Sequence, residues 1–207
     1  KSTTIMPYEL YKKRQKLNER VLNAMWANLP NYMNGKNVLI LADVSGSMEG
    51  DPMAVSISLA LYGAGRTQGR FHNTFLTFES TPRIMQIDAT QSIREQMNTI
   101  EAASWGGSTN LQATFDLILG IAQRDNVPKN EMPEVLFIVS DMEFDSACPK
   151  FSKTNHDVIV EKYIAAGYSM PIVVYWNVNA RHNQSPVTQH QSGAVLISGL
   201  SATIFKN

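Results

Sequence analysis

Two five-residue runs, Val38-Leu39-Ile40-Leu41-Ala42 and Val135-Leu136-Phe137-Ile138-Val139, are apolar at every position and give way to polar turns. A strand with one wet face alternates apolar and polar residues. An unbroken run instead suits a strand covered on both faces, as in a parallel sheet. Helical and strand patterns alternate around these runs. Pro52 stands at the first turn of a helix over residues 52–66, a position that tolerates proline. Ala54, Ser56, Ser58, Ala60, Gly63 and Ala64 would let that helix pack closely on the sheet. Residues 71–78 and 83–87 read as strands, and their short link favours an antiparallel hairpin. Residues 92–103 and 111–124 read as helices on either side of a glycine-rich loop. A helix over 157–168 and strands over 171–176 and 194–198 complete the pattern. The expectation is an α/β three-layer sandwich. Its sheet is open, Rossmann-like, mostly parallel and six-stranded, with helices on both faces. Residues 7–33 carry Leu10, Leu17, Val21, Leu22, Met25, Trp26 and Leu29 at helical spacing and are predicted to form one helix. That gives an N-terminal helix over 1–35, the tail of an upstream helical region, followed by a domain over 36–207.

In open parallel sheets, ligands bind outside the carboxyl ends of the strands. The polar residues at that edge are therefore the candidate site. Asp43-Val44-Ser45-Gly46-Ser47 sets a carboxylate and two hydroxyls on alternate residues of the turn leaving the first apolar run. Gly46 is expected to ease that turn. Hard oxygen donors at this spacing suit Mg²⁺, with Ca²⁺ or Mn²⁺ as alternatives, and not zinc. Taken alone, the pattern is also ordinary turn chemistry. Two further elements join it: Gly106-Gly107-Ser108-Thr109-Asn110 offers the Thr109 hydroxyl, and Ser140-Asp141 ends the second apolar run with a carboxylate.

Asp-x-Ser-x-Ser, a later Gly-x-Thr and an Asp closing the fourth strand resemble the three motifs of the metal-ion-dependent adhesion site (MIDAS) of von Willebrand factor A domains. The resemblance covers residues 36–205. It implies strand order 3-2-1-4-5-6 with the third strand antiparallel. It also implies hydroxyl ligation by Ser45, Ser47 and Thr109, with Asp43 and Asp141 acting directly or through water, and a last position open to water or a partner's carboxylate. Leu-Ala-Asp-Val-Ser-Gly-Ser-Met-Glu-Gly, Trp-Gly-Gly-Ser-Thr-Asn-Leu and Ser-Asp-Met-Glu-Phe-Asp resemble the intracellular A domains of Ro/TROVE-type proteins. They are also similar to an uncharacterised TROVE-like family of plants, microbes and large viruses. In Ro-type proteins the A domain follows an RNA-binding helical-repeat region.

The leading expectation is a metal-dependent protein-interaction module whose partner presents Asp or Glu. The alternative is a scaffold part of a Ro-like RNA-binding particle. A metal-dependent phosphotransferase or hydrolase fits less well. Such enzymes place a second acid two residues after a nucleophilic Asp, where this chain has Ser45, and Gly-x-x-x-x-Gly-Lys is missing. Glu143, Asp145 and Trp105 are candidates for the site rim, with Trp105 packing beneath the glycine loop. The four histidines lack ligand spacing, so no zinc site is assigned. The 207-residue chain has zero formal net charge, which argues against a dominant nucleic-acid role. The basic run 12–20 then reads as a solvated helix face, and any RNA would be met through other regions of the full-length protein. Cys148 is the single cysteine and no signal peptide is visible, pointing to a reducing, cytoplasmic location. No apolar run approaches the ~18 residues of a membrane span. A start at Lys1 and a helix-like end over 201–207 suggest a fragment whose last helix is cut short.

Overall fold

The computed structural model describes residues 5–103, 105–106, 108–142, 144–148, 152–179, 189–191 and 194–198. The first apolar run is strand β1 (Val38–Ala42), buried at all five positions. The second is β4 (Val135–Ser140), paired parallel to β1 with Ala42 opposite Val139. On the other side of β1 lie β2 (Thr74–Thr77), parallel, and then β3 (Ile84–Gln86), antiparallel. Next to β4 come β5 (Ile172–Asn177), β6 (Gln189–Gln191) and β7 (Ala194–Ser198), giving the order β3-β2-β1-β4-β5-β7-β6. The six expected strands take the expected order, with β1 and β4 adjacent at the centre. The seventh, β6, pairs antiparallel to β7 at the edge. Its sequence, Gln189-His190-Gln191, has none of the apolar alternation by which strands are recognised.

Among the described residues, seven α-helices flank the sheet: α1 (Pro7–Lys13), α2 (Glu19–Ala27), α3 (Asp51–Arg66), α4 (Ile93–Ala102), α5 (Leu111–Arg124), α6 (Phe144–Ala147) and α7 (Lys153–Ala165). Helix α3 lies against β1 and β2, with α1 and α4 beside it and α2 on α4. Helices α5 and α7 pair on the opposite face, where the buried Tyr163 hydroxyl donates to the Phe115 carbonyl at 2.9 Å.

The single helix expected over 7–33 is two. Asn18 has extended backbone, and its side chain accepts from the Arg20 N–H, capping a new helix. The apolar spacing runs across this break, so periodicity alone conceals it. Both helices belong to the common core: Leu10 and Tyr11 of α1 and Leu22 and Trp26 of α2 are buried in it, as is Leu29 just beyond α2. Their polar groups are tied to α4 and α3 as well. Tyr11 donates to Glu101 at 2.7 Å, Arg94 donates to the Arg14 and Leu17 carbonyls, and Tyr62 donates to the Pro30 carbonyl at 2.5 Å. Two cations of the basic run are neutralised within the chain, Lys12 by Asp51 and Arg14 by Glu101. Lys13, Lys16 and Arg20 remain on the solvated face.

Two further boundaries move for local reasons. Strand β2 begins at Thr74 and not at residue 71, because a 3-10 turn (Gly69–Phe71) and Asn73 at φ 55° interrupt extended backbone. Helix α7 begins four residues early, because the Ser152 side chain caps it by accepting from the Asn155 N–H.

Candidate functional site

Strands β1 and β4 run side by side, so the residues that follow them emerge together. The Asp43 N–H extends the ladder by donating to the Val139 carbonyl at 3.1 Å. Its side chain is fully buried. Asp43 Oδ1 accepts from the Ser45 N–H at 2.9 Å and from the Ser45 hydroxyl at 2.7 Å. Asp43 Oδ2 accepts from the Ser140 hydroxyl at 2.8 Å. The Ser45 and Ser47 oxygens are 3.1 Å apart, and the Ser47 hydroxyl donates to Asp141 Oδ1 at 3.2 Å. Four of the five expected ligand residues thus form one chain of close oxygen contacts, Asp43–Ser45–Ser47–Asp141, across two loops, in which each serine gives its one proton to a carboxylate.

The turn that spaces these groups is a 3-10 turn (Gly46–Met48), closed by the Met48 N–H on the Ser45 carbonyl at 3.0 Å. Gly46 is not what permits it. A Cβ there would meet nothing within 4 Å, and its φ is not positive. The glycine the backbone needs is Gly50, at φ 93°, which feeds the chain into α3.

The third loop closes on the first two. The Trp105 indole N–H donates to the Ala42 carbonyl at 2.9 Å, and its ring lies 6.0 Å from that of Phe75. Trp105 is 7% exposed, so it anchors the loop from beneath and is not a rim residue. Gly106 then presses directly onto the cluster. A Cβ at Gly106 would lie 2.2 Å from Ser45 Cβ and 3.0 Å from Asp43 Oδ1. Thr109, three residues on, is also buried, but its hydroxyl leans on the Glu79 carbonyl at 3.4 Å, and its N–H donates to the Ala147 carbonyl at 2.8 Å. It is therefore the one expected ligand residue outside the chain of oxygen contacts. Glu143 and the Asp145 side chain lie outside the described residues.

Burial pushes the Asp43 carboxyl above the usual carboxylate range, and the charge of Asp141 adds to this. The hydrogen bonds from Ser45 and Ser140 oppose it. The cluster thus concentrates two carboxylates and a set of neutral hydroxyls, one carboxylate being fully desolvated. Among the described residues, no three His, Cys, Asp or Glu side chains gather at one point. These are hard oxygen donors, which fit a hard dication and would compensate its charge. Ser45, Ser47, Thr109, Asp43 and Asp141 are the residues that would hold it. Ser140 was not singled out from sequence. The signal available was a hydroxyl closing an otherwise apolar strand, directly before Asp141.

Residues 37–207 match the family model described as Domain of unknown function (DUF7788). The uncharacterized protein L728 of Acanthamoeba polyphaga mimivirus is 35% identical over 171 residues, which cover 82% of this chain and 30% of the viral protein. The chain therefore spans under a third of that relative. The crystal structure of the Deinococcus radiodurans Ro (RSR) protein superposes with a TM-score of 0.55 at 18% identity, covering 88% of this chain and 34% of that one. At that identity the likeness concerns the fold. With the matched model spanning nearly all of the chain from β1 onward, the chain belongs to the DUF7788 family.

Proposed function

We propose that this domain is a metal-dependent binding module of the cytoplasm. In this reading a divalent cation, Mg²⁺ before Ca²⁺ or Mn²⁺, is held by the Ser45, Ser47 and Thr109 hydroxyls with Asp43 and Asp141. The observation that carries it is the continuous chain Asp43–Ser45–Ser47–Asp141, with Gly106 closed against it. Oxygen atoms from separate loops have been brought within hydrogen-bonding distance of one another at the carboxyl edge of the sheet, and a buried carboxylate is included at a cost that a dication would offset. Where Asp43 and Asp141 act through water, the direct ligands are neutral hydroxyls, and the positive charge left on a bound ion favours an anionic last ligand. The partner is accordingly a protein that presents Asp or Glu.

The reading assigns no catalytic step. Two residues after Asp43, where metal-dependent phosphotransferases and hydrolases on similar sheets carry a second acid, this chain has Ser45. Among the described residues no helix is long and apolar enough to cross a membrane.

A second reading, a scaffold part of a Ro-like RNA-binding particle, is supported by the fold shared with the Deinococcus Ro protein. RNA would then be met by parts of the full-length protein outside this domain, since two of the five cations in the basic run are already paired.

Affinity capture from the source cell, with and without chelator, tests the function. Protein partners lost both on chelation and on Thr109→Ala support the binding module. Capture indifferent to chelator, or recovery of RNA alone, contradicts it.

A further inference from the structure

We infer that Ser140 is a positioning residue of the metal site, fixing both carboxylates through a single hydroxyl. The inference rests on the metal-site reading above and adds a residue outside its ligand set. Ser140 is the last residue of β4 and is fully buried. Its oxygen accepts from the Met142 N–H at 3.2 Å, so its one proton is directed to Asp43 Oδ2 at 2.8 Å. The first bond shapes the turn that presents Asp141. The second fixes the rotation of the Asp43 carboxylate, leaving Oδ1 toward Ser45. The Tyr175 hydroxyl holds the far end of the same turn, donating to the Met142 carbonyl at 2.7 Å. One side chain on β4 thereby sets the carboxylate that leaves β1 and the backbone that carries the carboxylate leaving β4.

A dication needs its carboxylate ligands in a fixed orientation. Outer groups that orient metal ligands typically change affinity about 10–100-fold when removed. Because Ser140 has no exposed surface, a partner cannot reach it, and its contribution has to pass through the ion.

The test is calorimetric titration of Mg²⁺ into the wild-type domain and into Ser140→Ala, Ser140→Cys and Ser140→Thr, with melting of each metal-free protein alongside. Ser140→Ala should bind about 10–100-fold more weakly. Ser140→Cys, close in size but a weak donor, should fall between alanine and wild type. Ser140→Thr, which restores the hydroxyl, should return close to wild type. A lower metal-free melting temperature with unchanged Mg²⁺ affinity would make Ser140 merely structural and overturn the inference. Equal loss in Ala and Thr would overturn it too, because the hydroxyl would then be irrelevant. If wild type itself takes up no Mg²⁺, the metal-site reading fails first, and this inference falls with it.

Discussion

Two glycines in neighbouring loops of the site make opposite predictions, although both sit in glycine- and serine-rich turns. Gly106→Ala would place a Cβ 2.2 Å from Ser45 Cβ. Carbon atoms in contact prefer about 3.5–4.0 Å, so the two loops must separate by roughly 1.5 Å. The obstructing atom is a Cβ next to the backbone, not the end of a flexible side chain, and it cannot rotate away. Overpacking of this kind costs about 1–3 kcal/mol. For a domain of this size that corresponds to a melting temperature lower by roughly 2–12 °C. Ser45 would also be driven away from Asp43, so Mg²⁺ stabilisation should disappear. Gly46→Ala is the control: the new methyl meets nothing within 4 Å and φ is not positive. It should be neutral, or stabilise by about 0.4–1 kcal/mol through a less flexible unfolded chain. Thermal melts with and without Mg²⁺ decide the matter. A Gly106→Ala protein that melts like wild type and keeps its Mg²⁺ response would refute the close approach of the third loop.

Three further outcomes follow from the same structure. At ten times its dissociation constant Mg²⁺ should stabilise the domain by about 1.4 kcal/mol; Asp43→Ala and Asp141→Ala should each abolish that increment, and a melting shift surviving both would place the ion elsewhere. In metal-free buffer the raised Asp43 pKa contributes stability below the unfolded value, about 3.9, and that contribution is lost as pH rises through the folded value. Wild type should therefore lose ground to Asp43→Asn between acid and neutral pH in denaturant titrations; a difference moving the other way would contradict the burial argument. Finally, Leu22→Ala in α2 should cost about 2–5 kcal/mol in global unfolding, because Leu22 is fully buried in the common core. A small, local loss would mean that the N-terminal helices are a separate unit.

The central architecture was legible because β1 and β4 are covered on both faces, and such strands announce themselves as unbroken apolar runs. Their order, and hence the meeting of Asp43 with Ser47 and Asp141, then came from the resemblance to A domains. What escaped was decided by single capping or turn residues that periodicity averages over. Asn18 splits one apparent helix while the apolar spacing continues through it. Ser152 starts α7 early, and β6 is a polar edge strand with no pattern to detect. Within the site, Gly46 was expected to ease the turn, whereas the positive φ belongs to Gly50. The bonds of Ser140 and Trp105 join atoms 97 and 63 residues apart in sequence, and no local signal reports such pairings.

The claim that this cluster holds a divalent cation is tested most directly by crystals grown with Mn²⁺ and an anomalous difference map. The account predicts one peak bounded by the Ser45, Ser47 and Thr109 hydroxyls, with Asp43 and Asp141 either bonded to it or linked through water. Thr109 should turn its hydroxyl from the Glu79 carbonyl to the ion. A map without a peak between Ser47 and Asp141 at saturating Mn²⁺, or with its only peak elsewhere on the surface, would contradict the account.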